Sequence, residues 1–172
     1  MLLLCSGCTP AKKQTTESTT KPNSAFICEI GFSKDDEYIT ATDASPAELI
    51  LGFQGFLFVE VRIRAEESSP SPVLVRMSME VDGSEPFDGS QPDVDLETQD
   101  DGSRVSEEIN VFLPSNDTGL YKGKTAQIVM RLEDDASGMS CTTEQLVTLV
   151  DDDPCIHTGG EPICPDDTGE SQ

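Results

Sequence analysis

Val73, Val75, Met77, Met79 and Val81 alternate with Leu74, Arg76, Ser78 and Glu80, and this period of two constrains the fold more than any other feature of the chain. Successive side chains of a strand point to opposite faces, so the run makes one apolar face and one mostly polar face. Ala126, Ile128, Met130 and Leu132 alternate in the same way with Gln127, Val129 and Arg131, and Val147 and Leu149 interleave with Leu146, Thr148 and Val150. Between the runs lie Asp82-Gly83, Asp88-Gly89, Asp101-Gly102, Ser137-Gly138 and prolines at 46, 70, 72, 86, 92 and 114, all turn signals. No segment joins a helical stripe to helix caps. The pattern predicts strands near 26–32, 48–53, 56–65, 73–81, 94–98, 104–113, 125–133 and 142–150. Short strands with regular turns predict an all-β chain, an antiparallel β-sandwich.

The longest apolar stretch, LILGFQGFLFVEVRIR over 49–64, is broken by Gly52, Gln54 and Gly55. Two glycines flanking two residues between apolar runs read as a tight reversal, because glycine tolerates the positive φ such turns use. The expectation is a hairpin bend rather than a ligand-binding loop. At the other end of the body, LYKGKTAQIVMRLEDDASGMSCTTEQLVTLV resembles the last hairpin of an immunoglobulin-like or fibronectin-type sandwich. It has a Tyr-x-Gly-Lys lead-in, a strand, an Asp-Asp-x-x-Gly turn and a closing strand. The resemblance implies architecture and leaves function open.

The formal net charge is −22, with 33 acidic residues against 11 Lys and Arg. Nucleic-acid binding displaces phosphate counterions with Lys and Arg, so this balance excludes it as a function class. Docking on anionic lipid through the folded surface is disfavoured for the same reason. Attraction for cations and high solubility are the positive consequences. Residues 9–24 hold Lys12, Lys13 and Lys21 against Glu17, with no large apolar side chain, and read as a flexible linker. Residues 151–172 carry acids but no Lys or Arg, an acidic tail.

Ahead of the linker, Leu4-Cys5-Ser6-Gly7-Cys8 resembles the lipobox of bacterial lipoproteins. In that family a small-residue pair precedes a cysteine that takes the lipid and becomes the mature N-terminus. The resemblance assigns the lipid to Cys8 and implies a membrane anchor and a cell-envelope location. Cys5 stands where the family usually has Leu, and the short apolar run before Cys8 reads as a truncated signal peptide. The resulting division is 1–8 signal and lipobox, 9–24 linker, 25–150 sandwich and 151–172 tail. From Glu29-Ile30-Gly31 through LGFQGFLFVEVRIRAE the order further resembles secreted, lipid-anchored proteins of unknown function found in myxobacteria and related bacteria. Those often show Gly-Pro-Gln-Gly-Gly-x-His-Val; Gly52, Gln54, Gly55 and Val59 match it. Phe53, Phe56 and Phe58 replace its Pro, second Gly and His, so the resemblance implies no metal-ligating histidine here.

Four cysteines remain, Cys28, Cys141, Cys155 and Cys164, an even number that fits disulfides in an exported chain. In an immunoglobulin-like sandwich the first strand often runs parallel beside the last, which would bring Cys28 and Cys141 together. Cys155 and Cys164 would then close a small loop; the rival is a metal site using both thiols and His157. His157 is the only histidine, no Gly-x-Ser-x-Gly is present, and the chain has no Trp to stack sugars in a glycosidase cleft, so no catalytic residues are assigned. Asp93, Asp95, Asp100 and Asp101 raise calcium as a cofactor, since that ion takes six to eight oxygens. EF-hand spacing fails, with Thr98 at the glycine position and Arg104 at the final glutamate. A solvated acidic surface competes with the calcium reading. Asn116-Asp117-Thr118 fits the glycosylation triplet.

Two functions follow as expectations. The first is a non-catalytic envelope lipoprotein whose sandwich is structural or binds a protein partner. The alternative is a calcium-dependent adhesion or carbohydrate-binding module with a glycan partner.

Overall fold

The computed structural model describes residues 26–151, and these form an all-β sandwich of two sheets. The chain order is β1 (Cys28–Lys34), β2 (Glu37–Thr40), β3 (Ser45–Glu48), β4 (Ile50–Leu51), β5 (Leu57–Ala65), β6 (Val73–Val81), β7 (Phe87–Val94), β8 (Leu96–Thr98), β9 (Arg104–Ser106), β10 (Ile109–Phe112), β11 (Thr125–Asp134) and β12 (Met139–Val150). One sheet runs β2-β1-β5-β9-β8, with β4 and β10 pairing the first half of β5; the other runs β3-β12-β11-β6-β7. With β1, β5, β9/β10 and β8 in one layer and β7, β6, β11 and β12 in the other, the order is that of an immunoglobulin-like sandwich.

The alternating runs do what their period requires. Leu57, Val59, Val61 and Ile63 of β5 are fully buried, and Ala65 nearly so. They face Val75 and Met79 of β6, Ala126, Ile128, Met130 and Leu132 of β11, and Val147 and Leu149 of β12, in one hydrophobic cluster. Removing this much apolar surface from water is the main force closing the layers. The outward members of the same strands, Glu60, Arg62, Arg64, Arg76, Gln127 and Arg131, are half-buried or exposed.

Cys28 and Cys141 are disulfide-bonded with their Cα atoms 6.1 Å apart. The pairing is as expected, but the geometry behind it differs. The strand lying parallel beside β12 is β3, in register Val147↔Ser45 to Val150↔Glu48. β1 belongs to the opposite layer, where Cys28 pairs with Ala65 of β5. The bond therefore ties one sheet to the other.

Several predicted strands divide. The 94–98 segment is two strands of different sheets: β7 ends at Val94 on the edge beside β6, and β8 starts at Leu96 beside β9. Asp93 takes a φ of 53° where the chain crosses over. Asp88-Gly89, a turn by sequence, lies inside β7, with Gly89 opposite Met77. The expected 26–32 strand is the front of a hairpin, since Asp35 and Asp36 both take positive φ and return the chain as β2; a two-residue turn of that kind matches strand twist. Of the expected 48–53 strand, Glu48 closes β3 in one sheet and Ile50–Leu51 form β4 in the other, with Gly52 and Phe53 already in the turn.

The 104–113 run breaks at Ser106. β9 pairs Val105 with Arg64 and β10 resumes with Ile109 opposite Val61, so Ile63 lacks a ladder acceptor there. The fully buried Ser106 hydroxyl accepts from the Ile63 N–H at 2.9 Å instead. The Ser106 carbonyl accepts from Arg62 Nε, also at 2.9 Å. Asp117 Oδ1 accepts from the Gly119 N–H at 3.0 Å and caps a single 3-10 turn over 118–120, after which Tyr121 is buried against the core.

Ser106→Ala leaves the Ile63 N–H buried without an acceptor and should lower unfolding free energy by about 1–3 kcal/mol in a denaturant titration. Replacing Cys28 and Cys141 together by alanine opens a loop of sequence separation 113. In the chain-entropy treatment of the unfolded state that should lower it by about 4–5 kcal/mol under oxidising conditions, and by nothing further under reducing ones.

Candidate functional site: an aromatic hairpin tip beside an acidic groove

Gly52 and Gly55 make the hairpin that the sequence predicts. The Gly52 carbonyl accepts from the Gly55 N–H at 2.8 Å, and the Gly52 N–H donates to the Phe56 carbonyl at 2.9 Å. Gly55 takes a φ of 77°, the left-handed conformation typical of three-residue hairpin loops. Beyond the turn, Ile50 pairs with Phe58 and Leu51 with Leu57. A Cβ on Gly52 would lie 3.0 Å from the Phe58 ring, so that glycine also makes room for an aromatic side chain. Gln54 sits exposed at the apex and is part of the turn alone.

The turn carries an aromatic surface. Phe53 and Phe56 are 69% and 56% exposed, and Phe112 on the adjoining β10 is 39% exposed. The Phe112 ring meets Phe56 edge-on at 6.0 Å between centroids, and Phe58 at 5.7 Å. Phe58 and Phe112 are direct cross-strand partners. Four of the chain's seven phenylalanines thus share one corner of the sandwich. Edge-to-face rings stabilise one another, but they do not remove the water contact of Phe53 and Phe56.

Carboxylates border this corner. Strand alternation places Glu60 two residues beyond Phe58, opposite Asn110, on the face that Phe112 shares. Burial first, then the charges of Glu108 and Glu48, raise the Glu60 carboxyl above the ordinary glutamate value of 4.5. Glu108 also lines a small groove of about 160 Å³ with Asp93, Asp95, Glu97 and Glu107. Arg62 lies nearby in a depression with Asp36, Glu107 and Glu108, its Nε donating to the Ser106 carbonyl.

The acids singled out for calcium are not brought into one cluster. Asp93 and Asp95 line the groove just described. Asp100 and Asp101 sit in the β8–β9 turn. Asp101 Oδ1 accepts from the Ser103 N–H and hydroxyl at 2.9 and 2.6 Å, and its Oδ2 meets Arg64. Those Ser103 hydrogen bonds, with Arg64 behind them, hold the Asp101 carboxyl below its ordinary value. Among the described residues no three His, Cys, Asp or Glu side chains converge at metal-ligand spacing. Cys8, Cys155, Cys164 and His157 lie outside the described residues, and so does any test of the lipid site or of the second disulfide.

Two further polar surfaces are explained by the sheets themselves. Arg64 lies over the Tyr38 ring at 5.8 Å and pairs with Glu29 and Asp101. Tyr38 packs where Gly31 has no side chain, and burial, then Glu29, pushes its phenol far above the ordinary range. On the other sheet Arg76 and Arg131 are cross-strand partners, a like-charge pair that Glu133 bridges at 2.9 and 2.7 Å. Both are arrangements that hold neighbouring strands in register.

The sequence pointed to Gly52, Gln54 and Gly55 as a bend and passed over the rings they carry. Phe53 and Phe56 stand in the same stretch, and their exposure follows from the turn. Phe112 is distant in sequence, and only the pairing of β10 with β5 brings it in. The sequence matches no protein-family profile and no curated protein.

With its folded value raised, Glu60 disfavours the folded state once ionised. That penalty is complete above the folded pKa and vanishes below the unfolded one. Glu60→Gln should therefore raise the melting temperature relative to wild type near pH 7, and the difference should shrink toward zero as pH falls below the ordinary glutamate value. A difference independent of pH would show that Glu60 carries no such electrostatic load.

Proposed function

We propose that this chain is a non-catalytic lipoprotein of the cell envelope, held to a membrane by lipid on Cys8, whose sandwich binds a protein partner. The observation that carries the binding reading is the aromatic corner. Phe53, Phe56 and Phe112 stay in contact with water although the same sheet buries Leu57, Val59, Val61 and Ile63 completely. Exposed apolar surface gathered in one place is characteristic of interaction sites, and aromatic rings supply large contact area with little side-chain freedom to lose.

The Cys28–Cys141 bond supports the location, since such bonds form and persist in oxidising compartments. The lipobox resemblance at Cys8, followed by the polar stretch 9–24, supports the tether. Lipid attachment at Cys8 also gives the acidic body a role that direct adsorption to anionic lipid would not: the anchor holds it near a surface that its own charge avoids.

The anchor is tested by fractionating the native host. Wild-type protein should partition with membranes and incorporate labelled fatty acid, and Cys8→Ala should shift it to the aqueous fraction without altering the melting temperature of the purified chain. A wild-type chain found wholly in the aqueous fraction overturns the lipoprotein reading. In a parallel titration, millimolar calcium should leave the melting temperature unmoved; a clear rise would favour the calcium-dependent module instead.

A further inference from the structure

We infer that the aromatic hairpin tip and the acidic groove next to it together receive a cationic, apolar segment of a partner protein. The inference rests on the protein-binding reading above and supplies the partner's chemistry.

Three features of the corner decide what fits. The first is its apolar centre. Phe53 and Phe56 project from the Gly52–Gly55 turn, Phe112 and Phe58 extend the surface along two paired strands, and Ile50 lies opposite Phe58. Covering it takes apolar side chains from the partner, and aromatic surfaces of this kind dominate the energetics of interfaces.

The second is charge. Glu60 lies on the strand that carries Phe58, Glu108 immediately precedes the strand that carries Phe112, and Glu108 also lines the groove with Asp93, Asp95, Glu97 and Glu107. Against these acids stands Arg62, already engaged by the Ser106 carbonyl at 2.9 Å. A partner segment bearing Lys or Arg beside its apolar residues would neutralise the crowded carboxylates on docking. An acidic segment would add to the repulsion. Charge complementarity of this type sets partner choice and speeds encounter.

The third is the charge of the molecule as a whole. At −22, a second copy of the chain is repelled, and so is an anionic bilayer surface. A lysine ammonium or an arginine guanidinium reaching over the rings gains further from their faces, so cationic and aromatic surfaces favour each other directly.

The test uses the full chain and fluorescence anisotropy with labelled synthetic peptides. A peptide alternating lysine and leucine is the probe; controls of equal length alternate glutamate with leucine and lysine with serine. Anionic phosphatidylglycerol vesicles and a mixed oligosaccharide set complete the panel. The lysine–leucine peptide should bind in a salt-dependent manner. Phe53→Ser with Phe56→Ser should weaken it by about tenfold or more, both rings being exposed and dispensable to the core. Glu60→Gln with Glu108→Gln should weaken it several-fold and flatten the salt dependence, while near-unchanged melting temperatures or a gain verify the fold.

Equal binding of the lysine–serine peptide, or no loss in the phenylalanine variant, would show mere attraction of opposite charges and overturn the inference. Phenylalanine-dependent binding of the glutamate–leucine peptide would overturn the charge assignment and leave the protein-binding reading in place. Phenylalanine-dependent binding of vesicles or an oligosaccharide, with none of the peptides, would overturn both.

Discussion

Every other feature of the molecule depends on the closure of two sheets over the inward row of β5. Leu57, Val59, Val61 and Ile63 have no exposed surface, and the inward members of β6, β11 and β12 meet them across the interior. Because side chains alternate, burying that row commits Phe58, Glu60, Arg62 and Arg64 to the outer face. A register slip by one residue would exchange the two sets, placing two arginines and a glutamate in the core. The hydrophobic pattern therefore fixes which side chains are available for function as firmly as it fixes the fold.

Along that outer row the environment changes sharply. At its far end Arg64 is surrounded by Tyr38, Glu29 and Asp101, and Arg62 donates to a carbonyl at the Ser106 break. These cations are satisfied within the domain. At its near end Phe58 joins an aromatic surface that the domain leaves uncovered, with Glu60 between the two regions. The strand thus grades from an internally paired network to an aromatic surface left exposed among the described residues. The proposed protein-binding role and the proposed cationic, apolar partner are both readings of that gradient.

How much could be read from the sequence depended on whether the information was local. The long alternating runs at 73–81 and 125–132 are unambiguous, because both the period and the burial it implies lie within one segment. The turn at Gly52–Gly55 was legible for the same reason. The break at Ser106 was not, since its hydroxyl acts as a substitute acceptor only when β5 lies beside it. β7 was hidden because Pro86, Asp88-Gly89 and Pro92 look like turn chemistry, and an edge strand tolerates such residues on its unpaired side. The Cys28–Cys141 pair was anticipated through a wrong neighbour: β3, not β1, accompanies the last strand, and β1 approaches it across the interior. Among the acids, spacing in sequence suggested that Asp93, Asp95, Asp100 and Asp101 act together, whereas the crossover at Asp93 and the turn before Ser103 send them to different places.

A basic, apolar stretch of another protein is the proposed cover of the aromatic corner in the living cell. Site-specific photo-crosslinking in the native host tests it most directly, with the photoreactive residue placed at Phe56 in one strain and at Gln127, on the outer face of the opposite sheet, in another. A discrete adduct should form from position 56 alone, and its cross-linked peptide should contain lysine or arginine among apolar residues. Equal labelling from both positions, or an adduct at 56 mapping to an acidic peptide or to lipid, would contradict it.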